Sequence, residues 1–263
     1  MDYKTIRVET TPDGVAHLTL AQGDRGNPID GQFCAEFVDG ANDLSASSAV
    51  RAILLGADGK NFSVGGDISA FVKNLDQLPV MIRKWTSGFH GGIARLQRAD
   101  APVVAAVQGI CAGGGVALAA AADYVVADDD ARFVSAYTGI GYPCDGGASV
   151  FLSARLGAAR AKRFLMMREM LSAQQALELG LVDELVPAGN AAARAAEVAA
   201  ELAAGPTFAY GELKRIFVSA ASNSLDTQLE VEALAIARCA GTADSREAIT
   251  AFAEKRKPAF KGN

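Results

Sequence analysis

The chain has 263 residues, of which 50% are hydrophobic and 21% charged. That balance excludes a disordered or fibrous protein and leaves room for one large domain or two small ones, at about 100–200 residues per domain. With 25 basic against 30 acidic side chains the net charge is −5, so no global positive field exists to gather a nucleic acid or an anionic membrane surface.

The longest apolar stretch, residues 101–122, is interrupted by Gln108 and a glycine cluster, short of the about 20 continuous apolar residues of a spanning helix. Charges at Asp2, Lys4 and Arg7 occupy the place where a signal peptide carries its apolar core, and a cytoplasmic location is expected. Cys34, Cys111, Cys144 and Cys239 lie far apart in a chain with only two histidines, so they are read as reduced thiols, with no metal expected.

Residues Ile6–Thr10 and Val15–Leu20 alternate around Pro12-Asp13-Gly14, the pattern of two strands and a turn. From 30 to 44 the apolar residues Phe33, Phe37, Val38 and Ala41 recur at helical spacing behind Asp30, a natural N-cap. Short β-rich runs at 50–56, 102–107 and 124–127 read as buried strands with helices between them. After Gly146 the pattern is helical throughout, except for a strand and turn over 180–187, and Gly205-Pro206-Thr207 marks a helix break and a fresh start. Strands are expected to give way to helices at about residue 190, dividing a core over 1–190 from a helical region over 191–263.

Glycine-containing loops follow two of the buried strands: Gly59-Lys60-Asn61-Phe62-Ser63-Val64-Gly65-Gly66-Asp67-Ile68, and Gln108-Gly109-Ile110-Cys111-Ala112-Gly113-Gly114-Gly115-Val116. Backbone N–H groups in such loops, at a helix N-terminus, suit a phosphate or an oxyanion. Neither loop has a phosphate-loop or dinucleotide spacing. Read alone, each is also compatible with a tight packing turn.

Taken together, and followed by Ala122-Asp123-Tyr124, the run from Gly141 to Gly147, Leu171-Ser172-Ala173-Gln174-Gln175-Ala176, Gly180-Leu181-Val182 and Ala251-Phe252-Ala253-Glu254-Lys255-Arg256, these segments resemble the enoyl-CoA hydratase/isomerase (crotonase) superfamily over nearly the whole chain. The resemblance implies an α/β crotonase fold: a spiral core of ββα units with a C-terminal helical region that builds homotrimers, often paired into hexamers. It implies an acyl-CoA thioester as substrate, with coenzyme A part of that substrate and no separate cofactor.

The same resemblance puts the two N–H donors for the thioester oxygen at Val64 and Gly114. It puts substrate contacts at Arg25, Asn27 and Pro28, at Gly65, Gly66 and Asp67, at Tyr137, and at Phe252 and Lys255 reaching over from the C-terminal helix or a neighbouring subunit. The Lys255-Arg256-Lys257 cluster reads equally as an ordinary solvated face.

The two glutamates of the family's hydratases are replaced here by Ala117 and Tyr137. A phenol with a pKa near 10 is a poor base at neutral pH. Asp145 stands where several family isomerases, including the ring-epoxide isomerases of phenylacetyl-CoA breakdown, carry a catalytic aspartate. The expected activity is therefore double-bond isomerisation with Asp145 as proton shuttle. Weak hydration and acyl-CoA binding without turnover are the alternatives. Asp145 also has the sequence context of a helix N-cap, and His17, His90, Cys111 and Cys144 read as packed or surface residues.

Overall fold

A computed structural model describes residues 3–263. β1 (Ile6–Thr10) and β2 (Val15–Leu20) form the expected antiparallel hairpin, Ile6 opposite Leu20. β3 (Pro28–Ile29) leads into α1 (Gly31–Ala46), capped by Asp30, whose carboxylate accepts the Phe33 N–H at 2.9 Å. β4 (Ala52–Ala57) returns parallel to β2, and the first glycine loop follows, ending in β5 (Gly65–Gly66) and α2 (Ile68–Lys73). The long α3 (Leu78–Arg98) then crosses back against α1 to reach β6 (Val103–Val107).

The second glycine loop contains β7 (Ile110–Ala112) and opens α4 (Gly114–Ala121). It is followed by β8 (Tyr124–Asp128), β9 (Arg132–Val134), α5 (Ala148–Leu156), α6 (Ala158–Met166), β10 (Met170–Ser172), α7 (Ala173–Glu178) and β11 (Glu184–Val186). The helices α8 (Ala191–Ala203), α9 (Thr207–Ala220), α10 (Leu225–Ala240) and α11 (Ala243–Ala253) complete the chain.

The main sheet has the order β1-β2-β4-β6-β8-β11, parallel from β2 onward. Its central strands are apolar on successive residues, Val103 to Val107 all being buried, because both faces are covered. One face packs on α1, α3 and α4 through Phe37, Leu55, Phe89 and Leu118. The other face is covered by α8, whose Ala191, Ala195 and Ala199 lie against Ala52, Val104 and Val126. The last strand ends at Val186 and only helices follow from Ala191, the first of them, α8, packing on the sheet.

One correction concerns β10, which falls within a stretch expected to be helical. It is three residues long and is fixed by its partner, Leu171 standing opposite Phe133 of β9.

Three side pairings position the loops. β3 pairs with β5, β7 pairs with β9, and Ser63 bridges Cys111, so that the two glycine loops lie side by side at the C-terminal ends of β4 and β6. Gly65 has φ +83°, and a Cβ there would meet the Ala112 carbonyl at 3.0 Å. Only glycine combines that backbone with that approach.

Candidate active site

The two glycine loops form one end of a cavity of about 640 Å³, whose lining includes Gly65, Gly66, Gly113 and Gly114. Gly114 is the first residue of α4, so its N–H belongs to the first turn, which has no intrahelical acceptor. The Val64 N–H, expected as the other donor, donates instead to the Gly26 carbonyl at 2.9 Å, and the Gly65 N–H donates to Ser63 Oγ at 3.1 Å. The expectation for Val64 is therefore corrected: its N–H is committed to holding the loop.

The rest of the lining comes from α2, α3 and the loop before α5. Phe71, Trp85 and Tyr142 form an aromatic cup, with ring centroids 5.9 Å apart for Phe71 and Trp85 and 6.0 Å apart for Phe71 and Tyr142. Ile82, Phe89 and Ile140 extend it. Neither the aromatic residues of this cup nor His90 stands out in the sequence pattern as part of a site: Trp85 and His90 carry only the helical periodicity of α3, and Phe71 and Tyr142 lie in α2 and in the loop before α5.

Asp145 is the one carboxylate among the described residues lining the cavity. Its Oδ1 accepts a hydrogen bond from Tyr137 Oη at 2.7 Å. Tyr137 follows Ala136, which holds φ +35°, an uncommon conformation for a residue with a Cβ and one that turns the chain so that the phenol enters the cavity. Burial pushes the Tyr137 pKa far up, and the neighbouring Asp145 charge adds to it, so the phenol remains a donor throughout the neutral range.

The helix-cap alternative for Asp145 is overturned. The N-cap of α5 is Gly147, with no side-chain cap, and the Asp145 carboxylate faces Tyr137 instead. Ala117, at the position of one missing acid, is fully buried beneath Gly146. The two thiols in the lining are held as neutral groups: burial pushes Cys34 up to about 12 and raises Cys144 as well.

The remaining expected contacts fall into two groups. Arg25 is 44% exposed in its side chain and pairs with Asp67 at 2.6 Å and with Asp30 at 3.3 Å; Asp67 also caps α2 by accepting the Ala70 N–H at 3.1 Å. Asn27, 3% exposed, has its side chain fully engaged: Nδ2 donates to the Asp58 and Asn61 carbonyls and Oδ1 accepts the Gln22 N–H. Its side chain is a strut between these segments. Pro28 lies buried in β3 behind Gly65. Phe252 and Lys255 do not line the cavity of a single chain; Phe252 is 86% exposed at the end of α11.

Among the described residues, no group of three or more His, Cys, Asp or Glu side chains could hold a metal ion, and no helix is long and apolar enough to cross a membrane.

A family model described as enoyl-CoA hydratase/isomerase matches residues 10–263. The 1,2-epoxyphenylacetyl-CoA isomerase of Escherichia coli (strain K12) is 34% identical over 95% of both chains. The 4-chlorobenzoyl coenzyme A dehalogenase-1 of an Arthrobacter species is 30% identical over 95% of this chain and 91% of that one. The crystal structure of an enoyl-CoA hydratase from Polaromonas sp. JS666 superposes with a TM-score of 0.91 at 31% identity, covering 97% of this chain and 99% of that one. With a family match of this length and a fold shared end to end, the chain belongs to the enoyl-CoA hydratase/isomerase family, acyl-CoA enzymes of the crotonase fold.

Proposed function

We propose that this protein isomerises the double bond of an enoyl-CoA thioester, with Asp145 carrying the proton and the N–H groups of Gly66 and Gly114 holding the thioester oxygen. The observation that carries this reading is the single carboxylate, among the described residues, in a cavity also lined by the pair of glycine loops. In a 3-enoyl thioester, Asp145 removes a proton from C2, the negative charge moves onto the thioester oxygen as a dienolate, and Asp145 returns the proton to C4. One acid/base group suffices because the proton removed is the proton returned.

Support for Gly66 as the first donor comes from the local pairing. Asp67 donates its N–H to the Ile29 carbonyl at 3.2 Å, and neighbouring N–H groups along an extended strand point to opposite edges. Gly66, one residue earlier, therefore turns its N–H away from β3 and towards the cavity that it lines. Donors fixed in advance at the site of developing charge stabilise the dienolate without reorganisation. Tyr137, donating to Oδ1, leaves Oδ2 of Asp145 as the proton-carrying oxygen.

The acyl group fits the aromatic cup of Phe71, Trp85 and Tyr142, which favours a ring-bearing or medium-length acyl group over a four-carbon one. The helices α9 to α11 expose Phe217, Leu225, Ile236, Ile249 and Phe252; covering this apolar surface by self-association into a trimer or hexamer is the reading it supports, with Phe252 and Lys255 then offered to a neighbouring subunit's substrate. Four free cysteines fit a reducing compartment such as the cytoplasm.

The test is product analysis after incubation of the purified protein with a 3-enoyl-CoA and a 2-enoyl-CoA. Isomerisation leaves the mass unchanged and moves the double bond, whereas hydration adds the mass of water. Hydration without isomerisation, or an unchanged substrate that is nevertheless bound, would overturn this reading.

A further inference from the structure

His90 is the cavity residue whose geometry the isomerase reading does not yet use. It lies on α3 next to the buried Phe89, 56 residues from the loop that carries the base. Its Nε2 accepts the N–H of Gly146 at 3.0 Å. An N–H can donate only to a lone pair, so Nε2 carries no proton in this arrangement and a neutral ring carries it on Nδ1.

The peptide between Asp145 and Gly146 is held at both ends. Its N–H goes to His90, and its carbonyl accepts the Ala148 N–H at 3.0 Å. That peptide begins at the α-carbon of Asp145, and it enters a turn of two consecutive left-handed glycines, Gly146 at φ +60° and Gly147 at φ +75°. Gly146 is buried, a Cβ there meeting Phe89 Cε1 at 2.6 Å and Ala117 Cβ at 2.9 Å. A buried N–H without an acceptor is costly, and a glycine pair has the backbone freedom to rotate the peptide in search of another.

We propose that His90 is a positioning residue for Asp145: by accepting the Gly146 N–H it sets the orientation of the peptide that carries the base. The proposal rests on the reading of Asp145 as proton carrier. The Tyr137 hydrogen bond fixes the far end of the Asp145 side chain and His90 fixes its root, so the carboxylate is located from two sides by residues of two different elements. Mispositioning a base by a fraction of an ångström lowers turnover more than it lowers binding.

Two variants separate this role from simple packing. His90→Gln retains an acceptor oxygen on a side chain of similar reach, whereas His90→Phe retains the ring and its contact with Phe89, centroids 6.2 Å apart, but has no acceptor. The expected result is a loss of at least about 30-fold in kcat for 3-enoyl-CoA isomerisation in the Phe variant, with KM changed by less than about threefold, and recovery of most of that loss in the Gln variant. Packing alone predicts the reverse order, and a Phe variant with normal kcat would overturn the proposal.

A readout independent of activity keeps the two claims apart. The chain has two histidines, so the ¹⁵N spectrum of histidine-labelled protein, with His17→Gln to assign the signals, gives the tautomer of His90 directly. The expected form has Nε2 unprotonated, and the Gly146 amide should exchange faster with solvent in His90→Phe than in the wild type or His90→Gln. A protonated Nε2, or equal exchange in all three proteins, would overturn the proposal. If the wild type fails to isomerise while tautomer and exchange come out as expected, it is the isomerase reading that falls.

Discussion

Tyr137 and Asp145 meet through a hydrogen bond of 2.7 Å in which the buried phenol donates to the only carboxylate among the described residues lining the cavity. Tyrosine stands there in place of a family acid, and the consequence is more than an absence. A carboxylate can only accept at that distance, whereas the phenol donates a hydrogen bond to its neighbour. The pair thus consists of one carboxylate and one fixed donor.

The first prediction concerns this donor. Tyr137→Phe should lower kcat by about tenfold, the effect of about 1.4 kcal/mol for a hydrogen bond to a charged group, and leave KM nearly unchanged. Steady-state kinetics on both proteins checks it; a change confined to KM would mean that the phenol contacts the substrate instead.

Alkaline stability provides a second, separate check on the same residue. The folded-state pKa of Tyr137 lies above its unfolded value of 10.0 because burial and the Asp145 charge disfavour the phenolate. Above pH 10 the unfolded chain loses this proton and the folded chain keeps it, so stability is fully present below pH 10 and falls as the pH rises beyond it, by at most about 1.4 kcal/mol per pH unit. Denaturant titrations at pH 9 and pH 11 should therefore show a smaller drop for Tyr137→Phe than for the wild type. An equal drop would place the phenol in solvent.

The acyl end of the cavity supplies the third. Trp85→Ala opens the aromatic cup beside Phe71, and kcat/KM for a ring-bearing enoyl-CoA should fall by about tenfold or more, while that for a four-carbon enoyl-CoA changes by less than about threefold. Competition between the two thioesters, in wild type and variant, gives the ratio directly. Equal losses for both would mean that Trp85 supports the fold and not the acyl group.

The extent to which such residues can be read from the chain alone differs with the kind of contact involved. The β1–β2 hairpin and the Asp30 cap of α1 are local patterns and lie where the periodicity and turn residues put them. β10 was not legible, because three residues become a strand only by pairing with β9. Asp145 could be singled out as an acid at a family position, but whether its side chain caps α5 depends on Gly146 and Gly147 both taking left-handed conformations, which moves the cap to Gly147. That the Val64 N–H is already taken depends on the approach of Gly26 from another part of the chain. His90 reads from the sequence as a packed or surface residue for the same reason: its partner lies 56 residues away.

A fourth prediction concerns the N–H of Gly114. Any residue other than glycine brings a Cβ to within 2.5 Å of Ile29 Cδ1, the free end of a flexible side chain, and 3.5 Å from Phe89. Gly114→Ala and Gly114→Pro therefore share the crowding at Cβ, but only proline removes the N–H and sets its ring Cδ in that hydrogen's place. Proline is otherwise tolerated at the first position of a helix, so the backbone of α4 need not change. If that N–H holds the developing oxyanion, the proline variant should be slower than the alanine variant by about 10²–10³ in kcat, the usual effect of deleting one such donor. Melting curves of the two variants should agree, and both should lie below the wild type by the shared cost of moving Ile29. Binding of a non-reactive acyl-CoA should differ less between the variants than turnover does, because the ground-state carbonyl bears little of the charge that the donor stabilises. Equal turnover in the two variants, whatever their common loss, would remove Gly114 from the oxyanion site.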